Sequence, residues 1–317
     1  MNKDIDEAAW LLERRLGIGG SDIGAIVGVN PWKTALDVFL DKTGQAQTVE
    51  PNESMKLGTA LEPFVVKNYE ERTGLKCVEQ IGMFHKGVMC VNIDRIVDMG
   101  DGLTQKDGVI VSERILEAKT SRHEWVDGVP NSYQCQVQWY MGAFESVTQT
   151  DVAVYYTNGQ KEPFHIFPVM KDNDVFEFLH GKAEEFWNKY VLTNTMPPPQ
   201  NEDDARIIWA KESPKKVSVA DQRIIDTIRK IRAIREQIDV LEDEDSKLVT
   251  EIMKAMGDSE ILKTSDGPTG IVLATWKAPK DTVKTDWKAI VGELNVASDI
   301  IARHTEVKAN SRRFTIK

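Results

Sequence analysis

The hydrophobic period of this chain switches from helical to strand-like at Lys76 and returns to helical near Ser132, which no all-helical packing can accommodate. Upstream, Ile5 to Leu16 reads as a helix. It runs into Gly17-Ile18-Gly19-Gly20-Ser21, a glycine-rich turn ending in an N-cap for a short helix over Asp22 to Val27. Thr34-Ala-Leu-Asp37 has the form of a capping box and opens a helix that Gly44 closes. The next helix runs from Ser54 to Gly74, with Leu57, Leu61, Phe64 and Val65 as its core stripe. From Lys76 the chain alternates at a period of two. Strands are expected over Cys77 to Phe84, Val88 to Val97, Gly108 to Val111 and Arg114 to Lys119, parted by Gly and Asp turns. A helix from Ser132 to Phe144, with Tyr133, Val137, Tyr140, Met141 and Phe144 inward, precedes a strand pair over Thr150 to Tyr156 and Glu162 to Val169. A helix over Asn173 to Tyr190 follows. This order predicts an α/β (α+β) domain with a central mixed sheet flanked by helices.

A chain of 317 residues exceeds one ordinary domain, and its second part has a different pattern. Met196-Pro-Pro-Pro199 and the polar residues after it read as a stiff linker over 196–216, separating a domain at 1–195 from an extension at 217–317. In the extension, Asp221 to Met256 reads as one long helix. Ile224, Ile228, Ile231, Ile238, Leu241, Leu248 and Ile252 approximate heptad spacing, which suggests a coiled coil or a helical hairpin arm. Gly270 to Trp276 and the ending Ser311 to Lys317 suggest a small β extension.

Charge and cysteines narrow the function classes. A formal net charge of −10 argues against a protein that coats nucleic acid non-specifically, although a local basic groove can coexist with an acidic exterior. Nearly all of that negative charge lies in residues 1–200, and the stretch from Ile261 is net basic. Cys77, Cys90 and Cys135 are too few and scattered for a disulfide framework, a four-thiolate zinc site or an iron–sulfur site. No apolar run approaches bilayer length, and Met1 to Glu13 lack the apolar core of a secretory signal. A cytoplasmic protein without a membrane partner is expected. His85, His123, His165, His180 and His304 have no ligand spacing. Trp125, with Val129-Pro130, reads either as a loop that touches DNA or as ordinary loop packing.

The most informative residues lie in Ile115-Leu-Glu117-Ala-Lys119. On a strand, Glu117 and Lys119 share a face and Ala118 points the other way, into the core. In Val91-Asn-Ile-Asp94 an acid follows apolar positions, where a hairpin partner brings it beside Glu117. Two converging carboxylates repel, and one is driven toward its protonated form unless a cation intervenes. Mg²⁺ resolves the conflict, since it takes oxygen ligands and keeps several waters. Lys119 can then orient and help deprotonate an attacking water at a scissile phosphate.

Five segments, in order, resemble the YqaJ family of viral recombinase nucleases, which is similar to phage lambda exonuclease and shares the PD-(D/E)xK restriction-endonuclease-like fold. They are Arg14-Arg-Leu-Gly-Ile-Gly-Gly-Ser-Asp22-Ile-Gly, Leu57-Gly-Thr-Ala-Leu-Glu62-Pro, Val91-Asn-Ile-Asp94-Arg, Leu116-Glu-Ala-Lys-Thr120 and Tyr133-Gln-Cys-Gln136-Val-Gln138-Trp-Tyr-Met141, spanning roughly residues 10–190. The resemblance implies metal ligation by Asp94, Glu117 and the Ala118 carbonyl, with Lys119 as the catalytic lysine. It also implies that Glu62 reaches the metal or its water and that Gln136 supports the site. Gln134, Gln136 and Gln138 also suit a solvated helix face. Arg15 and Ser21 match positions that bind a 5′-terminal phosphate, and a glycine-rich turn at a helix start offers N–H groups to such an anion. Asp22 would oppose that anion unless it caps the helix or turns away.

The resemblance further implies two Mg²⁺ ions, replaceable by Mn²⁺, and 5′-to-3′ exonuclease action on double-stranded DNA ends. The product is a 3′ single strand for an annealing protein of the RecT or Beta type. A homo-oligomer is implied as well, which in compact relatives is a ring-shaped trimer. Three alternatives stay open at this point. Asp107 rivals Asp94 as the ligand, because a long loop, Met99 to Gly108, separates Asp94 from Glu117. An endonuclease of the same fold, or a non-catalytic DNA-end or recombinase-binding module, competes with the exonuclease. The long helix fits an oligomerisation arm, a clamp over DNA or a docking site.

Overall fold

A five-stranded mixed sheet organises the first of two units, Met1–Ala210 and Lys211–Lys317, in this computed structural model. The structure describes residues 3–46, 52–265, 269–280, 282, 284–294, 296–305 and 315. The sheet strands are β1 (Lys76–Val78), β4 (Arg95–Asp98), β7 (Arg114–Ser121), β8 (Gln149–Tyr156) and β9 (Phe164–Met170), in spatial order β1-β4-β7-β8-β9. Only β7 and β8 run parallel. Parallel neighbours need a crossover, and here it contains helix α5 (Asn131–Ala143).

Each sheet face carries its own core, because side chains alternate across a strand. On one face Ile115 and Val152 pack among residues of α5, α2 (Gly20–Ile26) and α3 (Ala35–Lys42). On the other, Leu116 and Ala153 meet Val65, Val66 and Tyr69 of α4 (Glu53–Thr73). The buried stripe of α4 thus lies in its second half, while the expected stripe members Leu57 and Phe64 are exposed. Helix ends follow their caps: Thr34 accepts from the Asp37 N–H to open α3, and left-handed Gly74 (φ 74°) closes α4. Helix α1 (Lys3–Arg14) precedes the glycine-rich turn.

Two expected strands are broken. The stretch Cys77 to Phe84 forms β1 and then β2 (Phe84–Lys86), and Val88 to Val97 forms β3 (Met89–Val91) and then β4. β3 pairs with β2, while β4 pairs with β1 and β7. At the break, the Gln80 side chain takes over the ladder, accepting from the Ile93 N–H and donating to the Val91 carbonyl. Residues 92–94 are thereby released from pairing. Met99 to Gly108 leads into a separate hairpin of β5 (Gln105–Lys106) and β6 (Val109–Ile110), with Asp107 in its turn at φ 50°.

The region read as a linker is partly structured. Helix α7 (Glu202–Ile208) belongs to the first unit, because Gln200 accepts from the Ala35 N–H and buried Asp204 accepts from the Thr34 hydroxyl. The helix expected to end at Tyr190 runs as α6 (Asn173–Phe186) and finishes in a π-helical turn over Trp187–Val191. In the second unit, α8 (Gln222–Met256) is one unbroken helix capped by Asp221, not a hairpin. Ile224, Ile238, Leu241, Leu248 and Ile252 on it are all exposed. An antiparallel pair, β10 (Ile261–Lys263) and β11 (Val272–Thr275), gives this unit its β element. Of the expected β ending at Ser311 to Lys317, all but Thr315 lies outside the described residues. Among the described residues no helix is long and apolar enough to cross a membrane.

The first unit is tied together at its helical end by one buried carboxylate. Asp22, fully buried, receives Lys42 and Lys33 ammonium groups at 2.7 Å each, Arg14 at 3.8 Å, and the Gly19 N–H at 3.0 Å. Burial alone would push this carboxyl up. The three cations outweigh it and hold Asp22 well below the usual carboxylate range. The Lys42 side chain is itself fully buried, so removing Asp22 leaves an unpaired cation inside the protein. Asp22→Ala is expected to cost about 3–5 kcal/mol in urea denaturation at neutral pH. The folded value is depressed, so this stabilisation is complete above the ordinary carboxylate range and fades only as pH falls toward the folded value. A loss under about 1 kcal/mol would show that the network contributes little.

Candidate active site

Strand alternation sends Glu117 and Lys119 from β7 toward α5, and Ala118 toward α4. Glu117 is 2% exposed. Its Oε1 accepts from Lys119 Nζ at 2.5 Å and from Gln136 Nε2 at 2.6 Å, while its equally buried Oε2 has no partner. Gln136 also donates to the Tyr140 hydroxyl, one helical turn further along α5. Gln136 and Gln138 are buried, which removes the solvated-face reading of these glutamines. Gln138 instead ties α5 to the Met170 carbonyl and the Asp172 N–H. The Tyr133 ring lies 4.7 Å from Lys119 Nζ.

The break between β3 and β4 brings Asp94 to this group. β4 pairs with β7 only at Arg95 opposite Leu116 and Ile96 opposite Ile115, so the edge of β7 beyond Leu116 is open on that side. Asp94 Oδ2 fills part of the opening by accepting from the Ala118 N–H at 2.9 Å. The N–H and C=O of one strand residue point the same way, so the Ala118 carbonyl faces the same edge. Burial and then the Asp94 charge push the Glu117 carboxyl up to about 7, against the opposing pull of Lys119. Burial lowers the Lys119 ammonium, but Glu117 and Asp94 raise it by more. The same contacts hold the Lys119 ammonium against Glu117, where it can donate to oxygen.

Glu62 approaches from α4 but is not in direct contact with the other two acids. Its Oε1 accepts from Arg95 at 2.9 Å, and Arg95 also lies 3.5 Å from Glu79. Burial and Asp94 raise the Glu62 carboxyl, and its charge contributes in turn to raising Glu117. Asp107, the rival of Asp94, sits in the exposed β5–β6 turn.

The donor set suits a hard divalent cation. Asp94 and the Ala118 carbonyl meet at the β7 edge, and on the adjoining sheet face a buried Glu117 oxygen lacks a partner. Among the described residues no three His, Cys, Asp or Glu side chains gather into a complete cage, since Glu62 is turned to Arg95. An ion here would rest on Asp94, Glu117 and the Ala118 carbonyl, with water or substrate completing its shell.

The glycine-rich turn differs from expectation. Arg15 pairs with Asp41 at 3.5 Å, and it is Arg14 that donates to the Ser21 hydroxyl at 2.7 Å. The two arginines are adjacent, and only the end of α1 at Arg14 decides which one faces Ser21. Asp22 caps α2 through the Gly19 N–H, one of the two ways in which it would not oppose an anion there. Trp125 is half-buried against Tyr133, Tyr156 and Phe167, which is loop packing. Sequence reasoning missed Arg95, Tyr140 and Tyr133 as neighbours of the site. Tyr140 had a usable signal in its four-residue spacing from Gln136, whereas Tyr133 and Arg95 had none.

Residues 9–151 match the family model of the YqaJ-like viral recombinase domain, stopping short of the roughly 190 suggested by the motifs. A Bacillus subtilis (strain 168) protein named "Uncharacterized protein YqaJ" is 28% identical over 332 residues, covering 100% of this chain and 96% of its own. Among solved structures, the alkaline exonuclease LHK-Exo from Laribacter hongkongensis is 15% identical, with a TM-score of 0.46 over 59% of this chain and 93% of that one. A phage-related exonuclease from Haemophilus somnus 129PT is 14% identical, with a TM-score of 0.41 over 57% of this chain and 97% of that one.

Two outcomes test this geometry in the metal-free protein. A Cβ on Gly20 would stand 2.4 Å from the buried Tyr140 ring, which is linked through Gln136 to Glu117. Gly20→Ala should therefore destabilise by about 1–3 kcal/mol in denaturation experiments. Glu117 carries a folded value of about 7 against an ordinary 4.5, so its ionisation opposes folding increasingly as pH rises across that window. Asp94→Asn keeps an acceptor for the Ala118 N–H but removes a charge, and should flatten the stability loss between pH 5 and pH 8. Urea midpoints that fall equally in both proteins would dissociate Asp94 from Glu117.

Proposed function

We propose that this chain, whose residues 9–151 match the YqaJ-like viral recombinase domain, is a Mg²⁺-dependent nuclease that digests one strand of duplex DNA from its 5′ end. The observation that carries the reading is the Glu117 carboxylate, buried at 2% exposure with one oxygen unpartnered, beside Asp94 and the Lys119 ammonium. A structural ion pair would satisfy both oxygens. This site leaves one buried oxygen without a donor, with the charge of a second carboxylate, Asp94, acting on it.

Mg²⁺, or Mn²⁺ in its place, would supply charge to polarise the scissile phosphate and acidify the attacking water. Asp94, Glu117 and the Ala118 carbonyl are the groups that would hold it. Lys119, ion-paired with Glu117, would turn its remaining N–H bonds to the incoming water and to charge developing on the phosphate. Gln136 fixes the Glu117 rotamer and is itself held against Tyr140. Glu62, through Arg95, adds charge at the rim. The Arg14–Ser21 pair, rather than Arg15, is the feature available to a terminal phosphate on the glycine-rich turn.

The polarity, the homo-oligomer, the annealing-protein partner and a cytoplasmic location remain part of the proposal through the family likeness. The exposed apolar residues on α8 give the second unit a surface compatible with assembly.

The test uses the full chain on linear duplex DNA labelled at either the 5′ or the 3′ end, with Mg²⁺ and then with excess EDTA. Mononucleotides released first from the 5′ end only with metal are expected. Asp94→Ala should lower the rate at least about a hundredfold, and Asp107→Ala should leave most of it. The reverse pair of results overturns the ligand assignment. Sustained cutting of closed circular duplex would convert the reading to an endonuclease, and no cutting with either metal would return it to a binding module.

A further inference from the structure

Outside the acidic cluster, the most unusual surface side chain near the site is Trp32, which is 74% exposed. Its backbone is pinned on both sides. Asn30 Oδ1 accepts from the N–H groups of Trp32 and Lys33, the Lys33 ammonium is anchored on buried Asp22, and Thr34 caps α3. A large apolar ring is thus held in water on a fixed base. Its ring neighbour is Tyr133, at 6.4 Å and 32° between planes. Tyr133 in turn lies 5.4 Å from Trp125 and carries Lys119 Nζ at 4.7 Å. Through the Tyr133 ring, one cation–ring contact and one ring–ring contact lead from the site's ammonium group to an exposed indole.

Aromatic rings interleaved with cations are the surface that single-stranded nucleic acid recognises. Every base has a π-face, and the cations meet the backbone. A peptide would be recognised by hydrogen-bond donors and acceptors or an apolar groove, which the pinned Asn30–Thr34 turn does not supply, its N–H groups being used internally. We propose that Trp32 is a stacking platform for a nucleobase of the strand being cut, positioning that strand against Tyr133 and Lys119. The proposal rests on the nuclease reading above, and it adds a positioning residue outside the metal-holding set. Trp125, more buried, braces Tyr133 from behind the loop through Tyr156 and Phe167.

The experiment separates binding from cutting. Full-length wild type, Trp32→Ala and Trp32→Phe are titrated with fluorescent duplexes in Ca²⁺, where binding is read by anisotropy, and assayed in Mg²⁺ for kcat and KM. The duplexes carry a single abasic nucleotide, moved one position at a time from the 5′ end. Loss of a base stack predicts a roughly 5- to 150-fold rise in Kd and KM for Trp32→Ala with kcat little changed, and near wild-type behaviour for Trp32→Phe. One abasic position should weaken wild type and have no further effect in Trp32→Ala. Affinity within twofold of wild type, or an abasic penalty that persists unchanged in the variant, overturns the platform while leaving the nuclease reading intact. Binding that depends on Trp32 without any cleavage supports the platform and overturns the nuclease reading. A wild type that neither binds nor cuts DNA overturns both.

Discussion

Holding a carboxylate inside a protein costs several kcal/mol unless charge and hydrogen bonds compensate it, and Glu117 is only half compensated. One oxygen has Lys119 and Gln136. The other is buried with no donor. The surroundings of this side chain follow from that imbalance. Gln136 is buried on α5 to reach it, Tyr140 is buried to hold Gln136, and Gly20 lacks a side chain because the Tyr140 ring stands where one would be. From Gly20 the chain reaches Asp22 within two residues, where the imbalance is reversed: three cations and a backbone N–H surround a single carboxylate. Gly20, packed against the site's Tyr140, and the fully paired Asp22 thus share one short helix.

The sheet contributes by stopping early. β4 pairs with β7 through Ile96 and Arg95 and goes no further, because the Gln80 side chain takes up the backbone groups where β3 and β4 would have joined. A continuous ladder would have used the Ala118 N–H and C=O in pairing. The break turns both toward Asp94 instead. On the opposite edge β7 keeps eight residues of parallel pairing with β8, so Glu117 and Lys119 stand on the longest ladder of the sheet. A reacting group gains from that support, since small displacements of a positioned side chain are costly to catalysis.

The second unit has a different physical character. Along the 35-residue helix α8, residues that would normally be covered are exposed, and Met256 alone among its described residues is buried. Helix propensity and spaced ion pairs such as Arg229–Asp226 and Lys247–Asp243 support it locally. Such a helix gains little from tertiary burial within its own chain.

Much of this was legible in the sequence wherever the information was local. The Thr34 capping box, Gly74 as a helix stop, the long helix ending at Met256 and the alternation of Glu117, Ala118 and Lys119 depend on residues within a turn or two of one another. Each is found where its pattern put it. The proximity of Asp94 to Glu117, and the exclusion of Asp107, depended on where a ladder ends, which is set by a glutamine fourteen positions before Asp94. Adjacent arginines cannot be ranked by spacing alone. Arg14, the last residue of α1, reaches Ser21, and Arg15, the first beyond it, reaches Asp41. The amino-acid order by itself determined which residues carry charge, which can cap, and which share a strand face, because those follow from short-range backbone geometry. Only the tertiary structure decided that Glu117 is buried with an unpaired oxygen and that Glu62 is claimed by Arg95, because desolvation and ion pairing depend on partners distant in the chain.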